Sequence, residues 1–286
     1  MATATAAQER KAARVAELQE TLARSVEDLL ASGQWQQWLD FLASFHRYSF
    51  NNTVLIMRQC PEASLIAGFR AWQDKGRQVR KGEKGIKIFG KPFRTIKETD
   101  KVTGEVERLI VPVRPPVVTV FDISQTDPIE GAEQAADPVA PLTGDDPRGI
   151  YAALADHMSS KGWTVTREQI TGPANGYCTV DGSKAIVVDS ELSAAHAAKT
   201  LIHEAGHAIL HTDDEGKLIK GPGSSTREIE AESTAYVVAA IAGLDTSDYS
   251  TGYVASWSDG DPEAIRAAGV RIQKAVHELA DTIGAE

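Results

Sequence analysis

The run His203-Glu204-Ala205-Gly206-His207 gathers two imidazoles and a carboxylate within five residues. Residues four apart in a helix lie on one face, about one turn from each other. His203 and His207 can therefore offer two nitrogens to a single ion. Glu204 projects beside them, where it can take a proton from water that the cation has acidified. This donor set suits zinc, which in catalytic sites takes three protein ligands and leaves one position open. Nucleases instead gather carboxylates around magnesium or manganese, so a metal-dependent nuclease fits these residues poorly.

A third ligand has to come from elsewhere. The segment Arg227-Glu228-Ile229-Glu230-Ala231-Glu232-Ser233-Thr234-Ala235-Tyr236 has a helical pattern in which Glu228 and Glu232 share a face and Glu230 lies on another. Glu228 as ligand, with Glu232 accepting a hydrogen bond from a ligand histidine, satisfies the ion and its support together. The two roles can also be exchanged. His211, one turn beyond His207, can be a ligand, a proton donor or a helix C-terminal histidine. We favour a place beside the ligands over direct contact with the ion.

The flanking pattern shows what must hold these residues. Leu201, Ile202, Ala205, Ala208, Ile209 and Leu210 give the 192–212 segment the packing faces of a buried helix, and Ala205 and Gly206 are small enough for a neighbour to approach closely. Further helices are expected over 225–243 and 261–283, and one from about 147 to 162. Strands are expected over 164–169 and in a hairpin of 177–180 with 185–188, turning at Asp181-Gly182. The N-terminal half reads as helices over 8–31 and 34–46, and a short helix from Thr53 to Cys60 capped by Asn51-Asn52. Strands follow at 85–89, 107–113 and 116–121, with Lys97 to Gly104 as a polar connection. Residues from Ser124 onwards are rich in Pro, Asp and Ala without apolar periodicity. The expectation is an α+β chain of two domains, 1–123 and 148–286, with a flexible acidic linker over 124–147.

Charge divides the chain. Residues 1–122 carry 19 Lys and Arg against 14 Asp and Glu, whereas the remainder carries 11 against 26. Ten of the basic residues fall within 70–97, opposed by Asp74 and Glu83 alone. Such a segment suits a polyanion, because phosphate binding draws on counterion release. Trp72, Phe89 and Phe93 interleave with the charges and Tyr48 lies nearby in sequence. Aromatic faces stack on unpaired bases at about 1–3 kcal/mol per base, whatever the sequence. Gly76, Gly82 and Gly85 allow close backbone approach to a ligand. Trp35, Trp38, Phe41 and Phe45 read as core.

The stretch Thr200 to His211, followed by Glu228-Ile229-Glu230-Ala231-Glu232, resembles the zinc-dependent ImmA/IrrE-type metallopeptidases, with glutamates spaced as in the gluzincin-like group. The N-terminal half resembles the single-stranded-DNA-binding domain of ArdC-type antirestriction proteins. It does so through Phe45 to Ile56, Phe69-Arg70-Ala71-Trp72-Gln73 and Gly76 to Ile88. The resemblance implies a DNA-binding domain joined to a zincin-like metallopeptidase domain, in a protein that protects incoming plasmid or phage DNA. Its candidates for DNA contact here are Tyr48, Asn51, Asn52, Arg70, Trp72, Arg77, Arg80, Lys81, Lys84 and Lys87. For the metal site they are His203, His207 and Glu228 as ligands of Zn2+, Glu204 as catalytic base, and Glu232 and His211 as supports. The alternative is a non-catalytic protein that coats single-stranded DNA, with structural zinc.

Composition narrows the setting. No apolar run is long enough for a transmembrane span, and the start lacks the apolar core of a secretory signal. Cys60 and Cys178 do not make a disulfide framework, so a reducing cytoplasm is expected.

Overall fold

The computed structural model describes residues 2–31, 33–99, 106–131, 149–247 and 260–284. The chain mixes helix and strand and divides into two compact units. The first comprises Met1–Ser25 and Val54–Asp137, the second Val26–Thr53 and Pro138–Glu286. Residues 26–53 thus pack with the C-terminal half, which a single cut near residue 123 does not capture.

In the first unit, α1 (Ala2–Asp28) buries Val15, Leu18 and Leu22 along one stripe. Helix α3 (Phe50–Gln59) leads to β1 (Ile66–Gly68), the short helix α4 (Phe69–Asp74) and β2 (Arg77–Val79). Strands β3 (Ile86–Phe89), β4 (Phe93–Thr99), β5 (Val106–Pro112) and β6 (Val117–Asp122) follow. One antiparallel sheet has the order β1-β6-β3, and β4 pairs with β5 as a hairpin. Lys97 to Thr99 extend β4 rather than forming a connection. The rest of the expected connection, 100–104, lies outside the described residues.

Asp122, at the end of β6, organises this unit. It is buried, caps the 3-10 turn Ile123–Gln125 through Ser124 N–H, and accepts from the N–H groups of Ser64 and Leu65. Satisfying backbone donors in this way is what makes a buried carboxylate tolerable. The turn delivers the chain into β7 (Thr126–Pro128), which pairs antiparallel with β2. The first residues of the expected linker are therefore structured, and 132–147 lie outside the described residues. Asn51 and Asn52 fall inside the first turn of α3, which begins at Phe50 rather than Thr53.

The second unit is built around a helix pair. Helix α2 (Gln34–Phe45) buries Trp35, Trp38, Phe41 and Phe45, as its pattern suggests. Helix α5 (Ile150–Ser160) leads to a three-stranded sheet of β8 (Thr164–Glu168), β9 (Gly176–Cys178) and β10 (Ala185–Asp189). The order is β8-β10-β9, with β10 parallel to β8 and antiparallel to β9. Helices α6 (Ala194–His211), α7 (Ser224–Ala242) and α8 (Pro262–Thr282) complete the unit. Helix α7 is central and touches α2, α6 and α8. Its small buried residues Ala231, Ser233, Thr234, Ala235 and Ala239 admit close neighbours, and Trp35 Nε1 donates to Ser233 Oγ at 3.3 Å. Helix α8 buries the stripe Ile265, Ala268, Ile272, Val276 and Leu279, whose large members each contribute about 1.5–3 kcal/mol.

Candidate metal centre

Helix α6 starts at Ser193, whose hydroxyl accepts from His196 N–H. Its apolar side is set by the fully buried Leu201, Ile202 and Ala205. At Gly206 a Cβ would stand 3.5 Å from Ala231 Cα, so α6 and α7 approach closely there. That approach brings the glutamate face of α7 against the histidine face of α6.

The nitrogens His203 Nε2 and His207 Nε2 lie 3.1 Å apart. Glu228 Oε1 is 3.1 Å from His203 Nε2, and Oε2 is 3.4 Å from His207 Nε2. Among the described residues these three side chains form the group able to hold a metal ion. Ligands about 2.0–2.1 Å from a tetrahedral zinc stand roughly 3.3 Å from one another, so the spacing suits that ion. On the far side of His203, Nδ1 lies 3.2 Å from Glu232 Oε2. Glu228 thus faces the ring nitrogens turned towards each other, and Glu232 faces the nitrogen turned away.

Electrostatics follow from the packing. Burial pulls the His203 imidazole down, but hydrogen bonds to Glu228 and Glu232 outweigh it and hold the ring up to about 10. The nearness of His203 and then His207, at 3.1 Å and 3.4 Å, holds the Glu228 carboxyl well below the usual carboxylate range. Burial pushes the Glu204 carboxyl up, against the pull of the two histidines. A carboxyl raised in this way is better matched to proton transfer near neutral pH. Burial, followed by the Glu204 charge, pushes the Cys178 thiol up to about 12. A thiol held up in this way is poorly suited to act as a thiolate nucleophile at neutral pH.

A cleft of about 400 Å³ opens over His203, Glu204 and Glu232, with Asn175, Gly176 and His196 on its other parts. At Gly176 a Cβ would meet Thr200 Cγ2 at 2.6 Å, Val187 O at 2.9 Å and Glu204 Cγ at 3.3 Å. Only glycine lets β9 run this close to α6. His196 and Asn175, 3.2 Å apart, do not stand out in the sequence reading. His196 precedes His203 by seven residues, two helical turns, and that spacing is a readable signal.

Two further residues, Glu230 and Arg271, gain a place only from the structure. His211 puts Nδ1 3.1 Å from His207 Nδ1 and Nε2 3.1 Å from Glu230 Oε2. Both ring nitrogens of His211 are engaged, which leaves it no lone pair for an ion. Glu230 is fully buried and accepts from Arg271 of α8. Arg271 lies three residues after buried Ala268 and four before buried Ala275, an arginine on the border of an apolar stripe.

The DNA-contact candidates divide between the units, with Tyr48, Asn51 and Asn52 in the second and the other seven in the first. Asn52 is buried. Trp72 is 0% exposed and donates from Nε1 to Phe121 O at 2.8 Å, so it is a core residue and cannot stack on a base. Arg77 is turned inward, donating to Thr126 Oγ1 at 2.7 Å and to Thr126 O at 3.1 Å. Arg80 is exposed but spans Glu83, Asp127 and the Ser124 carbonyl. Arg70, Lys81, Lys84 and Lys87 are exposed or partly so. Gly85 serves its own sheet, since a Cβ there would meet Thr119 Cγ2 at 2.1 Å. The exposed aromatics of this unit include Phe93, which lies beneath Lys91, and Phe69.

Comparison with known proteins divides the chain by sequence, with residues 26–53 inside the first match. Residues 9–121 match the N-terminal domain of anti-restriction factor ArdC, and residues 158–251 match the peptidase family M78, the IrrE N-terminal-like domain. The chain joins an ArdC N-terminal domain to an IrrE-like domain. An uncharacterized protein of Bacillus anthracis, pXO2-81, is 29% identical over 91% of the chain. The chain spans 48% of that relative's length. The crystal structure of the antirestriction protein ArdC from plasmid R388, in its Mn(II)-bound form, is 22% identical with a TM-score of 0.55. The match covers 93% of this chain and 97% of that one, and the two share the fold. No helix among the described residues is long and apolar enough to cross a membrane.

Proposed function

We propose that this chain is a zinc-dependent metallopeptidase carrying a single-stranded-DNA-binding domain, acting in the cytoplasm in the protection of incoming DNA. The observation that carries the reading is the grouping of His203 Nε2 and His207 Nε2, 3.1 Å apart, with the Glu228 carboxylate, whose Oε1 and Oε2 lie 3.1 Å and 3.4 Å from them in turn, beside the buried Glu204. The structurally similar ArdC has been crystallised in a Mn(II)-bound form, which supports metal binding by a protein of this fold. Two imidazoles and a carboxylate favour zinc over manganese, which prefers oxygen donors.

In this reading His203, His207 and Glu228 would hold the ion, which when bound would supply Lewis acidity to a scissile carbonyl and to water. Glu232 accepts from His203 Nδ1–H and fixes that ring's orientation. Glu204 removes the proton from the attacking water and returns it to the leaving amine. Substrate enters by the cleft beside Gly176, where the absence of a side chain leaves the Glu204 carboxyl accessible. In the first unit, Arg70, Lys81, Lys84 and Lys87 neutralise phosphates of unpaired DNA with little sequence preference.

The test compares wild type with Glu204→Gln for zinc content and for cleavage of a candidate protein pool, with and without single-stranded DNA. Cleavage by wild type alone, at equal zinc, is expected. Tight DNA binding by both with cleavage by neither would favour the DNA-coating alternative, and lack of zinc in both would overturn the metal centre.

A further inference from the structure

Behind the metal site runs a line of polar groups in the interior of the second unit. Arg271 donates to Glu230 Oε1 from Nε at 3.1 Å and also from Nη2. The other Glu230 oxygen stands 3.1 Å from His211 Nε2, and His211 Nδ1 stands 3.1 Å from His207 Nδ1. Glu230 and His211 are 0% and 1% exposed, so the contact between them is made without competing water.

Donor and acceptor rules leave one neutral arrangement. A carboxylate only accepts, so His211 Nε2 carries the hydrogen and donates to Glu230. His211 Nδ1 is then an acceptor, and His207 Nδ1 carries the hydrogen that it receives. His207 Nε2 is left with its lone pair, directed towards His203 Nε2 and Glu228. The side chains belong to three helices, α6, α7 and α8, so the arrangement is a property of the packed unit rather than of the His-Glu-x-x-His segment.

We propose that Arg271, Glu230 and His211 form a relay that fixes the tautomer and orientation of His207, making Arg271 a positioning residue for metal binding. The relay rests on the metal-centre reading above. It also gives Glu230 a duty distinct from those of Glu228 and Glu232, although the three glutamates alternate along one stretch of α7. Glu228 and Glu232 meet the two ring nitrogens of His203, and Glu230 acts on His207 through His211 from the interior. Arg271 does not touch the site; its two donors hold one Glu230 oxygen so that the other points at His211.

Arg271 is the position to vary, because its side chain is 36% exposed whereas Glu230 is enclosed. Full-length wild type, Arg271→Ala, Arg271→Lys and Arg266→Ala would be titrated with Zn2+ against a chromophoric chelator. The visible spectrum of the Co2+-loaded forms would be recorded beside it. Loss of such support costs about 10–100-fold in metal affinity. Arg271→Ala is expected to fall in that range with an altered Co2+ spectrum, and Arg271→Lys to recover part of the loss. Arg266→Ala, on the same helix and paired with Glu263 outside the relay, is expected to match wild type. A folded Arg271→Ala that binds Zn2+ as wild type does, even with a lowered apo Tm, would overturn the relay. Failure of wild type itself to take up Zn2+ would overturn the metal-centre reading beneath it.

Discussion

Zinc uptake is expected to tighten steeply across a pH range in which an ordinary histidine site is already flat. His203 is the cause. Burial alone would lower its affinity for a proton, but Glu228 and Glu232 hold the ring up to about 10. A metal must displace that proton from Nε2. Below the His203 pKa, each pH unit upward removes a tenfold handicap, about 1.4 kcal/mol. The dissociation constant should therefore fall about 100-fold between roughly pH 7 and pH 9, in the direction of tighter binding at higher pH. Glu228 adds no slope, because its contacts with His203 and then His207 keep it ionised far below this range. The assay is chelator competition in non-coordinating buffers at three pH values. Glu232→Gln, which removes one of the groups that raise His203, should flatten the profile. A change of less than about threefold in wild type over that interval would refute the protonated His203–carboxylate cluster.

Three other outcomes follow from the packing. Gly176→Ala should destabilise the chain by about 1–3 kcal/mol in denaturant unfolding, because the new methyl meets the Val187 carbonyl and Thr200; unchanged stability would argue against the close approach of β9 to α6. Lys81→Glu with Lys84→Glu should weaken single-stranded DNA binding and reduce the slope of its salt dependence by about 0.7 for each phosphate that is no longer neutralised, measured by fluorescence anisotropy at several salt concentrations. Trp72→Ala should cost about 3–5 kcal/mol of stability, whereas Trp72→Phe should leave DNA affinity nearly unchanged; selective loss of DNA binding in a stable Trp72→Phe would place the indole at the ligand.

Much of the metal face was legible because its period is helical and its residue types are rare together. His203, Glu204 and His207 share one helix with Leu201, Ile202 and Ala205 as its packing side, and the spacing of Glu228 and Glu232 marks a second helix facing it. What joins those helices was not legible. The Glu230–Arg271 pair spans 41 residues, and helical phase sets Glu230 on another face of α7 without telling what that face meets. Trp72 shows the opposite difficulty: an indole among cations reads alike whether it stacks on a base or donates to Phe121 O. Strands β1, β2 and β7 have three residues each, too few for an alternating pattern to emerge. The apolar stripe of α2 showed that the helix would be buried but carried no sign that α7 would bury it.

The most direct test of the metal centre is a zinc titration of full-length wild type beside Glu228→Ala at one fixed pH. About one zinc per wild-type chain is expected, with affinity reduced by at least about tenfold in the variant once one of three protein ligands is removed. Equal affinity in the two proteins would contradict the ligand set, and no zinc uptake by wild type would contradict the metal centre itself.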